Sequence, residues 1–180
     1  RHVDNSLIFT GTKELRLSFI RLSGGVQKSK SGGSIHLQGH VPLYITSCIF
    51  DGCDAAETWC AMHGGSIYAK IGSADANKES GIKIVIKDTV FKNVRVKSLG
   101  GAVYIDDKRG SSGETSTINI EGSTFQSTSA GAHGGALSVS TNSKVKVNVI
   151  SSTFEECSAT VTAGAIHTKR PNSITSPVSN

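Results

Sequence analysis

The sequence contains little proline, few aromatic side chains and no long apolar run. Of its 180 residues, 3 are proline and 6% are aromatic, whereas 20 are glycine. This composition is typical of short strands joined by turns, and no window shows a convincing helical period. No segment approaches the roughly 20 consecutive apolar residues that cross a bilayer, so we expect no membrane insertion. The length predicts a single domain.

Cysteine is also scarce, and its spacing excludes the usual zinc and thiol redox motifs. The four cysteines, Cys48, Cys53, Cys60 and Cys157, include no CxxC pair, so we expect neither a metal nor a cofactor. Cys53 and Cys60 are close enough to form a loop-closing disulfide in an oxidising compartment. The alternative is that Cys48, Cys53 and Cys157 are small buried apolar residues.

The formal net charge of +5 and a pI near 9.1 would suit an anionic partner such as a sulfated glycan. The basic residues are dispersed, however, as they are on ordinary solvated surfaces. Nucleic-acid binders usually concentrate them in a patch interleaved with aromatic residues, so we expect no nucleic acid partner. The first residues, Arg1 to Asp4, do not resemble a signal sequence. If the protein is secreted, its targeting segment lies outside this chain.

A repeated Gly-Gly landmark dominates the sequence. Residues 32–37, 64–69, 100–105 and 134–139 share the pattern Gly, Gly, small, aliphatic, any, apolar, and looser copies occupy 4–9 and 163–168. The second position of each copy falls 28 to 36 residues after the previous one. These positions are Asn5, Gly33, Gly65, Gly101, Gly135 and Gly164.

A phenylalanine landmark recurs in step with the glycines. One phenylalanine lies between each pair of Gly-Gly copies, namely Phe19, Phe50, Phe91, Phe125 and Phe154. Ahead of each lies a short run that alternates apolar and polar residues, which is the signal of a half-buried strand. Polar stretches such as 72–81 and 106–116 account for the longer copies, and we expect them to be loops.

A three-strand unit of this size cannot bury its apolar side alone and must stack on its copies. The sequence therefore predicts an all-β right-handed parallel β-helix, a solenoid of about five to six coils of roughly 28–36 residues. We expect residues 1–168 to form this single domain, and residues 169–180 to be a polar tail or the start of a further coil. A sandwich or barrel would need hairpin turns, which are scarce here.

Two kinds of ladder should fill the interior. The first is aliphatic and comprises Leu7, Ile35, Ile67, Val103, Leu137 and Ile166, beside the stacked phenylalanines. The second comprises small hydrogen-bonding residues two positions before a phenylalanine, namely Cys48, Thr89, Ser123 and Ser152. Gly-Gly would supply a positive φ at a corner and let neighbouring coils approach closely.

These landmarks resemble the GGA[ILV] and FxxN repeats of the chlamydial polymorphic outer-membrane protein family. Residues 100–103 and 134–137 carry the first motif most closely, and the resemblance covers residues 4–168. The passenger domains of that family are β-helical autotransporter adhesins. The resemblance therefore implies a β-helical fold and a location at the cell surface or outside the cell.

Few residues remain that could carry catalysis. Asp106 and Asp107 are the best candidates for acid/base or calcium chemistry. Adjacent strand residues face opposite sides, however, and a solvated loop start is the favoured explanation. His63 and His133 each precede a Gly-Gly, but equivalent positions vary, which indicates a tolerant corner. Trp59 is either a binding platform or a loop anchor.

We therefore expect a non-catalytic extracellular module that serves adhesion or builds a surface layer or filament. Open strand edges at both ends favour end-to-end self-association or membership of a longer rod. Two alternatives remain: a polysaccharide lyase or glycoside hydrolase acting on acidic glycans, and a module that binds anionic glycans.

Overall fold

The computed structural model describes residues 7–10, 13–26, 31–53, 59–72, 81–109 and 114–169. Within these residues the regular structure consists of seventeen short β-strands and no helix. Left-handed corner residues and glycines separate the strands, which keeps each strand to between 2 and 7 residues.

The chain passes through the same three strand positions in five successive coils. Coil 1 contains β1 (Leu7–Thr10), β2 (Leu15–Ser18) and β3 (Arg21–Ser23), and coil 2 contains β4 (Ile35–Gln38), β5 (Leu43–Thr46) and β6 (Ile49–Asp51). Coil 3 contains β7 (Ile67–Ile71), β8 (Lys83–Lys87) and β9 (Val90–Val96), and coil 4 contains β10 (Val103–Asp107), β11 (Ser116–Glu121) and β12 (Thr124–Ala130). Coil 5 contains β13 (Leu137–Thr141), β14 (Val145–Ile150) and β15 (Thr153–Glu155), and it is followed by β16 (Ser158–Ala159) and β17 (Ile166–Lys169).

Equivalent strands of successive coils pair in parallel and form three sheets. Sheet 1 has the order β1-β4-β7-β10-β13-β17, sheet 2 has β2-β5-β8-β11-β14, and sheet 3 has β3-β6-β9-β12-β15, with β16 also on β12. The prediction of a parallel β-helix of the right-handed type is therefore confirmed. Five strands in a sheet span four turns, so the solenoid has about four turns, slightly fewer than the five to six coils predicted.

The aliphatic ladder predicted for sheet 1 is confirmed by the strand register. Its six members pair one above another, in the order Leu7, Ile35, Ile67, Val103, Leu137, Ile166. The four middle members are fully buried. The outermost ones are less buried, because each has a neighbouring coil on one side only among the described residues.

Sheet 3 carries the aromatic ladder. Phe50, Phe91, Phe125 and Phe154 pair in register, and neighbouring rings stack with centroids 4.8–4.9 Å apart and nearly parallel planes. This distance matches the spacing of hydrogen-bonded strands, so each ring packs directly on the ring of the next coil. The first three are completely buried.

The prediction that Phe19 belongs to this ladder was wrong. Phe19 is 83% exposed and has a left-handed backbone with φ 56°. It occupies the corner between sheets 2 and 3, where Ser47 and Asp88 have the same conformation in later coils. Leu22 pairs with Phe50 instead, because β3 begins at Arg21 and its inward position falls three residues after Phe19.

A hydrogen-bonded ladder closes the same corner from inside, as the small residues before the phenylalanines predict. The backbone N–H groups of Cys48, Thr89 and Ser123 donate to the hydroxyl groups of Thr89, Ser123 and Ser152 in the next coil, at 3.2–3.4 Å. Each of these hydroxyl groups donates to the carbonyl oxygen two residues earlier, at 2.8–3.0 Å. The corner therefore satisfies its polar groups without water.

The two glycines of each landmark have different structural roles. The first has positive φ, as at Gly100 (63°) and Gly134 (64°). The second permits close approach between coils, because a Cβ atom on Gly101 would overlap the carbonyl oxygen of Gly135. Of the landmark positions, Asn5 lies outside the described residues, as do residues 170–180 of the predicted tail.

Candidate functional site

The two candidate carboxylates lie on opposite sides of sheet 1. Both belong to β10, which extends two residues beyond the strand that the pattern predicts. Asp107 pairs in register with Ile71 and Thr141 and is fully buried, whereas Asp106 aligns with Lys70 on the outer side. The two groups therefore cannot face one substrate together.

Asp107 belongs to a buried ion pair with Arg109, which is itself completely buried. The Arg109 guanidinium donates to both carboxylate oxygens, from Nη2 at 2.8 Å and from Nε at 3.0 Å. Ser143 Oγ donates to the same carboxylate at 2.6 Å, and Arg109 also donates to the hydroxyl groups of Ser116 and Ser143. The expectation of a solvated loop start at Asp107 was therefore wrong.

The charge of Asp107 is stabilised by these contacts. Burial alone would raise the pKa of its carboxyl group, but the hydrogen bonds from Arg109 and Ser143 outweigh that effect and lower the pKa below its ordinary value. The group is thus held ionised inside the protein, where it connects coils 4 and 5. Its location and pairing indicate a structural role.

Asp106 lies beside a row of rings on the outer face of sheet 1. Lys108 Nζ is 2.9 Å from Asp106 Oδ1, and the hydroxyl group of Tyr68 donates to Oδ2 at 3.4 Å. Tyr68 stacks on Tyr104 with a centroid separation of 5.5 Å. Burial and the negative charge of Asp106 raise the pKa of Tyr104 to about 12, and they raise that of Tyr68 as well. Both tyrosines therefore remain neutral donors.

The two histidines that precede Gly-Gly lie in one column but have different partners. Nδ1 of His63 accepts the backbone N–H of Leu99 at 3.2 Å, and burial lowers the pKa of its imidazole. His133 stacks on His167 at 4.7 Å, and its Nδ1 is 2.7 Å from Thr162 Oγ1. Nowhere in the described part of the chain do three or more His, Cys, Asp or Glu side chains form a group that could hold a metal ion.

Cys53 and Cys60 form a disulfide. Cys60 Sγ accepts the backbone N–H groups of Cys53 and Arg95, at 3.1 and 3.5 Å. Cys48 and Cys157 have free thiols. Trp59 is 37% exposed, but residues 54–58 next to it lie outside the described part, so its role as platform or anchor stays a prediction.

A groove on the outer side of sheet 3 was missed from the sequence. It has a volume of about 740 Å³ and extends from Ser23 in coil 1 to Ser158 after coil 5. We call it the sheet 3 groove. The sequence does contain a signal for this groove. The two residues after each ladder phenylalanine are both polar or glycine, so apolar and polar residues stop alternating there.

The carboxylates of the described residues are dispersed around the solenoid. Asp106 lies on the outer face of sheet 1, Asp107 in the interior and Asp88 at the corner before sheet 3. The outer side of sheet 3 carries Asp51, Glu155 and Glu156, and the ends of sheet 2 strands carry Glu14, Glu114 and Glu121.

Comparisons of the chain with family models, curated proteins and solved structures give no match. The resemblance to polymorphic outer-membrane proteins is therefore supported at the level of a parallel β-helix only. Among the described residues, no helix is long and apolar enough to span a bilayer.

Proposed function

We propose that this chain is a non-catalytic extracellular β-helix module that serves adhesion or forms part of a surface layer or filament. The observation that carries this proposal is the dispersal of the carboxylates. A glycoside hydrolase needs two carboxyl groups about 5–9.5 Å apart across one substrate site. The described residues instead place Asp106 and Asp107 on opposite sides of one strand.

The two carboxylates that line the sheet 3 groove do not change this conclusion. Asp51 and Glu156 both line the sheet 3 groove, but three strand spacings separate coil 2 from coil 5, which is about 14 Å. Asp51 is also paired with Arg21 at 2.7 Å and Lys92 at 3.2 Å. Burial opposes ionisation of Asp51, yet hydrogen bonds from Asn93, Lys92 and Arg21 lower its pKa. Its charge is therefore already neutralised.

Two observations favour an extracellular structural or adhesive role. Disulfides persist mainly in oxidising compartments, and the Cys53–Cys60 bridge fits such a location. At each end of the described solenoid, strands pair on one side only, and partly buried apolar residues such as Leu15 and Phe154 face that end. Open strand edges are templates for pairing with further coils or copies. The similarity of the landmarks to those of β-helical adhesins favours the same role.

An assay of acidic polysaccharide cleavage tests the non-catalytic part of the proposal. The chain is incubated with polygalacturonate, alginate, chondroitin sulfate and heparin, and both reducing ends and unsaturated products are measured. We expect neither to rise above a heat-denatured control. Release of either product, abolished by substitution of a described carboxylate, would refute the proposal.

Light scattering at rising protein concentration tests end-to-end association. We expect the average mass to increase with concentration, because the end strands of the described solenoid pair on one side only. A mass that stays at 18.8 kDa over the whole range would contradict self-association through the ends.

A further inference from the structure

The sheet 3 groove has a backbone geometry that repeats in successive coils. In coils 3, 4 and 5, the residue two positions after the ladder phenylalanine is left-handed, with φ 56° at Asn93, 50° at Ser127 and 51° at Glu156. The next residue returns to the interior, where Val94 and Thr128 are completely buried. The residue after that faces outward again, so the groove is lined by the second and fourth residues after the phenylalanine, as at Asn93 and Arg95 or Ser127 and Ser129.

The groove is long and runs across the strands. Its lining comes from all five coils, so its floor spans four strand spacings, which is about 19 Å. This length suits an extended chain rather than one small molecule. An extended ligand in the groove would lie across the strands, so it could not pair with them as an added strand. Its recognition would therefore depend on side chains.

Five of the eleven lining residues carry a hydroxyl or amide group, namely Ser23, Asn93, Ser127, Ser129 and Ser158. Asn93 Nδ2 donates to Asp51 Oδ1 at 3.1 Å, and Ser127 Oγ donates to Glu156 at 2.6 Å. These bonds use one donor each of Asn93 and Ser127, and the hydroxyl group of Ser127 keeps its acceptor capacity. Such a surface matches a ligand with many hydroxyl groups.

Arg95 supplies a charge that has no counter-ion in the described part of the chain. It is exposed at the centre of the groove, between the coil of Asp51 and that of Ser129. Both carboxylates of the groove have other partners, since Asp51 is paired with Arg21 and Lys92 and Glu156 accepts from Ser127. A guanidinium in such a setting favours an anion that can accept two parallel hydrogen bonds, such as a carboxylate or a sulfate.

We propose that the sheet 3 groove binds a glycan chain that carries acidic groups. Arg95 pairs with a carboxylate or sulfate of one sugar, and the hydroxyl groups of Ser127 and Ser129 bind hydroxyl groups of neighbouring sugars. The coil spacing of about 4.8 Å presents equivalent polar groups to successive sugars along the chain. This inference goes beyond the proposed function, because a scaffold could exist without any such ligand.

Binding of labelled oligosaccharides by the intact chain tests the inference. The probes are an oligogalacturonate, a heparin oligosaccharide and a neutral cello-oligosaccharide, measured by fluorescence anisotropy. We expect the acidic probes to bind and the neutral probe to bind much more weakly. Binding of oligogalacturonate identifies a carboxylate as sufficient, whereas binding of heparin alone identifies sulfate as the recognised anion.

The matched variants are Arg95→Gln and Arg16→Gln, which remove the same charge from two exposed sites. Arg16 lies on sheet 2, where it pairs with Glu14 at 2.7 Å. We expect Arg95→Gln to weaken acidic probe binding about tenfold or more, which corresponds to a charge-assisted hydrogen bond. Arg16→Gln should leave the affinity unchanged within about twofold.

Three results would overturn the inference. Failure of the unmodified chain to bind either acidic probe would refute it. Equal losses of acidic probe affinity in the two variants would also refute it, because they would indicate general attraction to a basic protein. Equal affinity of the unmodified chain and Arg95→Gln would exclude the groove. Circular dichroism of both variants serves as the control for folding, and both should retain the native spectrum because each arginine is exposed.

Discussion

Phe91 and Phe19 look alike in the repeat pattern, and the structure predicts opposite consequences of changing them. Phe91 is completely buried and lies between the rings of Phe50 and Phe125, at 4.9 and 4.8 Å. Phe91→Ala removes both stacking contacts and leaves a cavity that rigid neighbouring strands cannot fill. We expect a loss of about 3–5 kcal/mol in the free energy of unfolding.

Phe19→Ala should have almost no effect, within about 0.5 kcal/mol, because the ring is 83% exposed. Phe19→Gly should stabilise the protein by about 1 kcal/mol, since glycine removes the Cβ strain of a left-handed residue. Gly122 occupies the same corner in coil 4 with the same φ of 56°. The glycine variant therefore tests the corner geometry separately from the loss of the ring.

Urea unfolding followed by circular dichroism measures all three variants against the unmodified chain. Phe91→Leu serves as the control for the ladder position, and we expect it to cost about 1.5 kcal/mol because it preserves most of the volume. Equal losses in Phe91→Ala and Phe19→Ala would refute the assignment of Phe19 to the corner. A loss on Phe19→Gly would refute the left-handed conformation.

Three further predictions concern the buried ion pair, the disulfide and two glycines, one in a Gly-Gly landmark and one at the corner between sheets 2 and 3. Asp107→Ala should cost about 3–5 kcal/mol at pH 7, because it leaves a buried guanidinium unpaired. The folded protein lowers the pKa of Asp107 below its ordinary value of 3.8. The stability that ionised Asp107 contributes is therefore present above pH 3.8 and should be lost as the pH falls through the lower folded-state pKa. Urea titrations at pH 7 and pH 3 would show whether the difference in unfolding free energy between Asp107→Ala and the unmodified chain narrows. Alkylation of the unfolded chain without reductant should modify two of the four cysteines, and reduction of Cys53–Cys60 should lower stability by about 2 kcal/mol; four modified cysteines would contradict the bridge. Gly101→Ala should cost about 4 kcal/mol or more through overlap with backbone, whereas Gly122→Asn should cost less than about 1 kcal/mol because asparagine tolerates positive φ; similar thermal midpoints for the two variants would contradict their different roles.

The sequence was sufficient to predict the core of the solenoid. Residues that recur every 28–41 positions and stack in register leave a strong one-dimensional pattern, so the ladders of Ile67 and Phe91 were readable directly. The small residues two positions before each phenylalanine also predicted the hydrogen-bonded corner. Local pattern and overall fold agree at these positions, which is why the reasoning succeeded.

The failures occurred where residue type and structural position separate. Phe19 is aromatic, and its spacing of 14 residues to Gly33 is close to the 15 residues between Phe50 and Gly65, so this spacing does not distinguish a corner residue from a ladder residue. Asp107 and Arg109 were assigned to a polar loop because single charged residues are almost never buried. Their spacing of two residues places both on one side of an extended chain, and only the structure shows that this side is the interior.

The groove was missed for a different reason. Its lining comes from residues about 30 positions apart in the sequence, and no local motif connects Arg95 with Ser127 or Glu156. The second and fourth residues after Phe91, Phe125 and Phe154 face outward and mark where a groove can form. The pattern does not reveal which charges remain without partners, because that depends on contacts between coils.

Contacts between methyl groups of successive coils test the stacked, parallel arrangement most directly. In a nuclear Overhauser experiment on methyl-labelled protein, Val103 should show cross-peaks to both Ile67 and Leu137, since the three pair in register in the interior of sheet 1. Adjacent strands lie about 4.8 Å apart, well within the range of the effect. Absence of either cross-peak in the folded protein would contradict the solenoid.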